Sequence, residues 1–391
     1  MHLRTFLIVF VISLAYGQDR KITPTLNPGC ENCNFSTTLV YIKADSSHDR
    51  IHQIWDFTRG SPTIIFAIAS INSTLNISWS DEVPVKFWMS EPPLYSFAAS
   101  IDKLYEYDDI KDVGHISANS PRRALPLHRT GWTRRRSVLT ADEAMVSLHG
   151  NYRDDYRSGI IDIKLDLLPF KDYAVDLPHL IHTANSTLVD VSLVNFTASR
   201  DYNASRYAVH FTLVSTDSSE DSMSYKMRKS LDDEHTPGVF EIIEIKTPRS
   251  NMSEDGGFIQ FRPVGYTEPE RSVSSSTNAY MSNLNRTSIP RASTLQVFYG
   301  GLEPAQLLAE GSAVSFGLPG DGYYRQNNYT SWSFTLGYGA PPMESFSLFV
   351  VVVICCGLGV PVLLALSGAA CVLLRRRRRQ HNAPARFTDS E

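Results

Sequence analysis

The chain is poor in cysteine, with 5 cysteines in 391 residues. Cys355, Cys356 and Cys371 lie inside a long apolar run near the C-terminus, so only Cys30 and Cys33 remain elsewhere. A small fold held by several disulfides is therefore excluded, and a hydrophobic core must stabilise the protein. We predict a local disulfide between Cys30 and Cys33. A redox CxxC motif is the alternative, but it requires a strand before it and a helix after it.

The sequence also lacks the common catalytic motifs, with no GxSxG, no HExxH and no P-loop. His179 and His182 have a spacing that suits a metal only on a helix, and no third ligand accompanies them. The cluster from Asp232 to His235 places three carboxylates beside a histidine. A hydrolase, acting on the side of the membrane assigned to this segment below, is therefore an alternative. Since consecutive carboxylates cannot all face one substrate, a turn is the preferred interpretation. We predict no metal site, no cofactor and no enzymatic activity.

Charge excludes a further class of protein. Asp and Glu number 41 and Lys and Arg number 37, with six of the arginines in the C-terminal tail. The remainder of the chain is mildly acidic, which argues against a nucleic-acid partner.

The two ends of the chain carry targeting patterns. Residues 1–17 have the basic start, apolar centre and small-residue end of a cleaved signal peptide, with an uncleaved anchor as the alternative. Residues 346–374 contain no charged side chain and are long enough to cross a bilayer with tilt. Arg375–Arg379 follow directly and predict a cytosolic tail over residues 375–391. A phosphoinositide-binding role is the alternative for these arginines. The pattern predicts a single-pass type I membrane protein with a luminal N-terminus.

Asn-x-Ser/Thr acceptors for N-glycans are frequent between the two targeting segments. All nine matches fall in the part predicted to be luminal: Asn34, Asn72, Asn76, Asn185, Asn195, Asn203, Asn251, Asn285 and Asn328. A used acceptor must lie on the surface, because a bulky polar glycan cannot be buried. The glycans are expected to aid folding and solubility, and to protect against proteases in a degradative compartment.

The luminal part is expected to be mainly β. Residues Ile161–Leu167 alternate strictly between apolar and polar side chains, which is typical of a half-buried strand. Residues Thr63–Ile71 form a continuous apolar run that predicts a fully buried strand. Further strands are predicted over Leu39–Ala44, Leu75–Trp79, Val85–Met89, Val189–Leu193, Val209–Leu213, Phe240–Lys246, Phe258–Arg262, Thr294–Tyr299 and Trp332–Tyr338. This pattern predicts one or two β-sandwich-like domains and one C-terminal transmembrane helix.

Three segments poor in apolar residues are expected to be loops, namely Ser117–Ser137, Ser215–Glu234 and Glu268–Ser288. A proteolytic or ligand-binding role is the alternative for the arginine-rich first of them. We predict a domain boundary at the end of this arginine-rich segment, which divides residues 18–138 from residues 139–345.

The apolar run is rich in small residues. Ala365 and Ala369 are four residues apart, a spacing that lets another helix approach closely. Pro361 is expected to kink the helix. We predict a partner helix packed at Ala365 and Ala369, with a lipid-facing helix as the alternative.

Several stretches of this sequence resemble the glycosylated lysosomal membrane proteins. They are Ser230–Phe240, Arg262–Tyr266, Gly322–Tyr324, Tyr329–Phe334 and Gly337–Pro342, with a looser likeness over Leu39–Trp79. The resemblance covers most of the chain and is most specific over Trp332–Pro342.

The resemblance implies a non-enzymatic accessory subunit in the lysosomal membrane. Members of that family bind a multispanning major-facilitator transporter that exports dipeptides, and shield it from luminal proteases. A homo-oligomer is left open, and a cell-surface adhesion or receptor ectodomain is the alternative function. Vertebrate members carry more luminal cysteines and a tyrosine-based sorting signal, whereas residues 380–391 here contain neither tyrosine nor a leucine pair.

Overall fold

The computed structural model describes residues 20–154, 157–169, 173–174, 177–181, 185–229, 241–248, 256–341 and 348–381. The predicted signal peptide and residues 382–391 lie outside these ranges. The chain divides into two compact units, Met1–Met343 and Glu344–Glu391. Most of the first unit is β-strand, and the second contains one long helix.

The first sheet is antiparallel and contains the strands nearest the N-terminus. Its strands lie in the order β1 (Lys21–Leu26), β2 (Leu39–Asp45), β3 (Asp49–Asp56), β4 (Thr63–Ser70), β7 (Tyr95–Asp108), β15 (Ser205–Ser215) and β22 (Leu308–Phe316). The shorter β8 (Arg122–Pro126) pairs with β7, and β20 (Ser276–Met281) and β21 (Asn285–Arg286) pair with β22.

The second sheet is also antiparallel and has the last strand of the chain near its centre. Its order is β9 (Gly131–Leu139), β10 (Ala144–Arg153), β11 (Ser158–Leu167), β14 (Ser186–Val194), β23 (Tyr329–Tyr338), β18 (Gly257–Phe261), β17 (Glu241–Lys246) and β16 (Ser224–Lys229). β19 (Val264–Tyr266) pairs with both β23 and β20, so the two sheets join into one nearly closed structure.

The main core lies between the two sheets. Along β11, Ile161, Ile163 and Leu165 are buried while the residues between them are half-exposed, as the alternation predicts. Trp55 of the first sheet and Trp332 of the second are both fully buried in this core. Burial of such large apolar surfaces is the main stabilising contribution to the fold.

A second apolar layer covers the outer face of the first sheet. It is formed by a hairpin of β5 (Leu75–Ser80) and β6 (Val83–Met89), and by the short helix α1 (Thr294–Tyr299). Ser293 caps α1, and the Thr294 hydroxyl donates to the buried carboxylate of Asp56 over 2.6 Å. The strand predicted at Thr294–Tyr299 is therefore wrong. Its aromatic and β-branched residues favour a strand, but the cap and the contact with β3 stabilise a helix.

The mainly β fold class predicted from the sequence is confirmed. Ten of the predicted strands coincide with β2, β4, β5, β6, β11, β14, β15, β17, β18 and β23 within a few residues at each end. Two smaller strands, β12 (Tyr173–Ala174) and β13 (Leu177–Ile181), form a separate pair. Short 3₁₀ turns lie at Leu127–Arg129, Pro304–Gln306 and Tyr324–Gln326.

The three loop predictions are each wrong in part. The arginine-rich segment contains β8 and most of β9, and the serine-rich segments contain β16, β20 and β21. All five are edge strands or short strands, which tolerate polar residues because at least one of their faces meets solvent. The boundary predicted after residue 138 falls at the end of β9, which pairs with β10 on the other side of it. The boundary therefore does not separate independent sheets.

The second unit contains the helix α2 (Leu348–His381). Its segment Val352–Arg378 is long and apolar enough to cross a membrane, and it is not buried within the structure. This segment overlaps the span predicted over residues 346–374. Pro361 lies inside α2, and the helix continues through the arginines that follow the apolar run.

Candidate functional site

Arg206, at the start of β15, is the centre of a buried charge cluster. Its guanidinium is 3% exposed, and its Nε donates to Asp109 over 2.7 Å. Its Nη2 donates to Asp321 over 2.6 Å and also to Asp112. The ring of Tyr323 stacks on the same guanidinium at 5.3 Å. Three carboxylates from two separate loops therefore share one cation.

Backbone amides complete the cluster. Asp109 accepts from the amide of Gly114 over 2.8 Å, and Asp321 accepts from the amides of Leu318 and Tyr323 over 2.8 and 3.1 Å. Burial alone would raise the pKa of Asp321, but these bonds and that of Arg206 outweigh it and hold the pKa below its usual range. The loop that follows β7 and the loop that precedes β23 are thus tied to β15.

A glycine makes room for this arginine. Gly317 follows β22 with a φ of +151°, and a Cβ added there would lie 2.3 Å from the Arg206 guanidinium. A side chain at Gly317 would therefore displace the central cation of the cluster.

A second buried pair joins the two sheets. Glu106 of β7 is fully buried, and it accepts from the Arg157 Nε over 2.7 Å. Its other oxygen accepts from the Ser199 amide over 2.5 Å and from the Ser205 hydroxyl over 2.9 Å. Since Arg157 directly precedes β11, this pair ties the first sheet to the second.

Both charge clusters stabilise the fold by holding loops against strands. Their buried carboxylates each accept from an arginine and from backbone amides, so their oxygens are directed into the fold. Such an arrangement holds loops in place and is strongly destabilised when one partner is removed. Sequence reasoning missed both clusters. The available signal was a charged residue next to large apolar ones, since Glu106 lies between two tyrosines and Arg206 directly precedes Tyr207, and a buried charge must be paired.

The residues singled out for metal or acid–base chemistry are only partly covered. His179 lies on β13, whereas His182 and the cluster from Asp232 to His235 fall outside the described residues. In the ranges that the structure covers, no three His, Cys, Asp or Glu side chains are gathered in a way that could hold a metal ion.

The glycan acceptors are distributed over the first unit. Asn251 lies outside the described residues and Asn185 is half-buried. The other seven are exposed, namely Asn34, Asn72, Asn76, Asn195, Asn203, Asn285 and Asn328. Each of these seven could carry a glycan in the folded protein without burying it.

The structure places Cys30 and Cys33 in a disulfide whose Cα atoms lie 5.7 Å apart. No helix follows the pair, since the chain continues into β2. The surrounding loop contacts the β5–β6 hairpin, where the Trp79 indole donates to the Pro28 carbonyl over 2.9 Å. The disulfide thus lies in a loop that fastens the hairpin to the sheet.

Ala365 and Ala369 are both exposed on α2, one turn apart. Added Cβ atoms at Gly357, Gly359 and Gly368 of the same helix would meet no other atom within 4 Å. Because these side chains are small, the backbone of a second helix can approach α2 closely.

Comparison with known proteins places the sequence in a family. The family described as "Glycosylated lysosomal membrane protein" matches residues 38–379. The chain belongs to this family. It is 28% identical to the glycosylated lysosomal membrane protein of Mus musculus over 388 residues, covering 94% of this chain and 92% of the relative. It is 25% identical to glycosylated lysosomal membrane protein A of Xenopus laevis, covering 91% of this chain and 90% of the relative. It is 24% identical to the glycosylated lysosomal membrane protein of Homo sapiens, covering 86% of this chain and 84% of the relative.

Membership in the glycosylated lysosomal membrane protein family supports a lysosomal membrane glycoprotein. The family resemblance found in the sequence is therefore confirmed, and its most specific segment has a clear place in the structure. Trp332 of that segment is 1% exposed and lies in the core between the sheets. The tryptophan of this segment is thus part of the core of the fold.

A buried histidine predicts that the stability of this lysosomal membrane protein family member depends on pH. His52 of β3 is fully buried, with its Nδ1 2.8 Å from the Tyr41 hydroxyl and its ring stacked on that of Tyr41. Burial lowers the pKa of His52 to about 4; Arg50 and Lys43 also lower it, whereas Asp45 opposes them. His52 thus stays neutral in conditions where an exposed histidine is charged.

We expect acidification from about pH 7 to about pH 5 to cost about 2 kcal/mol of stability through His52. The unfolded chain takes up a proton on this residue near its ordinary pKa of 6.5, whereas the folded chain does so only near 4. The free energy of unfolding therefore decreases as the pH is lowered through this window. Denaturant unfolding of the full-length protein at both pH values measures the loss, which His52→Gln should reduce.

His48→Gln is the matched control, because His48 is exposed on the adjacent turn. The pH dependence should stay unchanged in this control. Asp56 acts in the opposite direction, since burial raises its pKa, but its effect is common to all three proteins. Equal pH dependence in wild type and His52→Gln would contradict the assignment.

Proposed function

We propose that the chain is a non-enzymatic accessory subunit of a multispanning lysosomal transporter of the major-facilitator class, which exports dipeptides. In this role it protects the transporter from luminal proteases and supports its lysosomal localisation. The first unit faces the lumen and the arginine-rich end of α2 faces the cytosol. Family membership supports the lysosomal membrane as the place where this occurs.

The observation that carries the proposal is the exposed apolar helix. Its 27-residue segment Val352–Arg378 is 0% buried, and it presents Ala365 and Ala369 on one face. A single anchoring helix needs only apolar residues, whereas helix association in membranes depends on close packing at small residues. A multispanning protein provides the partner helices.

The luminal unit supports a shielding role. Its buried charges are held within the fold by Arg206 and Arg157, and seven glycan acceptors are exposed on its surface. The last strand ends at Tyr338 and α2 begins at Leu348. So short a connection between the last strand and α2 raises the local concentration of the luminal unit near the transporter to about millimolar. A modest contact area then suffices for association.

Replacing Ala365 and Ala369 together by leucine should weaken capture of the transporter about fivefold, because lost packing of about 1 kcal/mol changes an equilibrium by that factor. The lifetime of the transporter in lysosomes should shorten accordingly. Affinity purification in mild detergent and pulse-chase of the transporter measure the two effects.

Ser367→Leu with Ala370→Leu is the control, because these residues lie largely on the other side of α2. The control should retain capture and protection. A cell-surface location without any co-purified transporter would instead favour the adhesion or receptor function. Turnover of a lysosomal substrate by the purified protein would contradict the non-enzymatic role.

A further inference from the structure

The β5–β6 hairpin carries an exposed tryptophan directly opposite a glycan acceptor. Asn76 of β5 and Trp88 of β6 are cross-strand partners in the antiparallel register. Asn76 is exposed, and Trp88 is 44% exposed. Side chains of directly opposed residues have Cβ atoms about 4.5–5.5 Å apart and lie on the same face. The acceptor amide and the indole therefore share one small surface.

A large part of this indole is open to solvent. The inner face of the hairpin packs Leu75, Ile77 and Phe87 onto the layer around α1. On the outer face, the Lys86 ammonium lies 6.0 Å from the Trp88 ring, at the limit of a useful cation–π contact. A two-stranded hairpin is only marginally stable by itself, so a cover on its outer face would stabilise it.

We propose that the first N-acetylglucosamine attached to Asn76 packs on the Trp88 indole and forms part of the folded structure. The sugar leaves the Asn76 amide toward the facing ring, and its C–H groups supply an apolar surface of about the size of the indole. This contact covers an aromatic side chain and secures the outer face of the hairpin. The inference rests on the luminal orientation proposed above, since only luminal acceptors are glycosylated.

Tryptophan fluorescence gives a direct readout of this contact. The chain has five tryptophans, of which Trp55, Trp132 and Trp332 are buried and Trp79 is half-buried. Acrylamide quenching therefore reports mainly on Trp88. Full-length protein is made with high-mannose glycans and trimmed by endoglycosidase H, which leaves a single N-acetylglucosamine at each used acceptor.

The trimmed protein should be quenched about as weakly as the untrimmed protein, because the sugar next to Trp88 remains. Asn76→Gln should raise the quenching constant about twofold. Asn285→Gln is the matched control, since the strand partner of Asn285 is Gly311, which has no side chain. This control should leave quenching unchanged.

A double-mutant cycle tests whether the contact stabilises the fold. Unfolding equilibria are measured for trimmed wild type, Asn76→Gln, Trp88→Ala and the double variant. We expect a coupling of about twofold to fivefold in the unfolding equilibrium constant, the range of aromatic cross-strand pairs. Trp88→Phe should retain most of the coupling, and Asn285→Gln should show none with Trp88→Ala.

The outcomes separate this inference from the proposed function. Glycopeptide mass spectrometry that finds no glycan at any acceptor would overturn the luminal orientation and the inference together. Glycans elsewhere with Asn76 vacant, or no coupling and unchanged quenching, would overturn the inference alone. Loss of transporter capture in Trp88→Ala without glycan coupling would also overturn it, and would make the indole a protein contact.

Discussion

Replacing Arg206 by methionine should lower the free energy of unfolding by about 3–5 kcal/mol. The substitution keeps most of the side-chain volume but removes the cation that Asp109, Asp112 and Asp321 share. Three carboxylates would then remain close together without a neutralising partner. Denaturant unfolding of the full-length protein measures the loss, and Arg206→Lys should be intermediate because one ammonium cannot replace the whole guanidinium fork.

The effect of Arg206→Met should also depend on pH. In the wild type, although burial opposes them, Arg206 and backbone amides hold the pKa of Asp321 below its usual range. The contribution of Asp321 to stability is therefore present above the ordinary pKa of about 3.9 and is lost as pH falls through the folded pKa. The variant lacks this contribution. The difference between the two proteins should therefore shrink on acidification from about pH 7 to about pH 3.

The surface pair of Arg286 with Asp221 offers a control for this experiment. Arg286 is 52% exposed and lies 4.0 Å from Asp221, so Arg286→Met should cost less than about 1 kcal/mol. Equal losses in Arg206→Met and Arg286→Met would show that the buried cluster does not hold the loops together.

Trp332→Ala should destabilise the protein by about 3–5 kcal/mol, the usual cost of removing a fully buried large aromatic side chain. The indole contacts Phe334 at 4.6 Å and Phe261 at 5.1 Å between ring centroids, and Phe211 and Phe316 at 6.3 Å each. Its removal leaves a cavity at the centre of the core. Thermal and denaturant unfolding measure the loss, and reduced cell-surface and lysosomal amounts should accompany it.

Trp88→Ala removes the same side chain from an exposed position, so its cost should stay below about 1 kcal/mol. A comparable cost for the two tryptophan variants would contradict the placement of β23 in the core.

The sequence was sufficient to predict the strands with a clear apolar pattern. β11 alternates Ile and Leu with Asp and Lys, and β4 is apolar from Ile64 to Ala69, so hydrophobic patterning identified both. β22 was missed although all nine of its residues are buried. Its Ala, Gly and Ser residues have low strand propensity, and pairing with β15, β20 and β21 stabilises it as a strand. α1 was missed because tertiary contacts override the local preference of its residues.

The candidate site was less accessible to sequence reasoning than the fold. The partners of Arg206 lie 94 to 115 residues away in the chain, so no local spacing relates them. The opposition of Asn76 and Trp88 depends on the register of the hairpin, which a bulge between Ser78 and Trp79 shifts. A one-residue change in register moves every side chain to the other face, and apolar patterning alone does not fix it in so short a hairpin.

The central position of β23 in the second sheet has a consequence for biosynthesis. β14 pairs with β23 along its full length, yet β23 is the last strand to be translated. At ribosomal rates of about 5–20 residues per second, β14 waits on the order of ten seconds for its partner. In the luminal orientation proposed above, the Asn185 acceptor would be open to the glycosylation machinery during this interval, whereas in the finished fold it is half-buried beside the C-terminal end of β23. The second sheet can be completed only after nearly all of the first unit has been made, so a truncation before Tyr329 would leave an unfinished sheet.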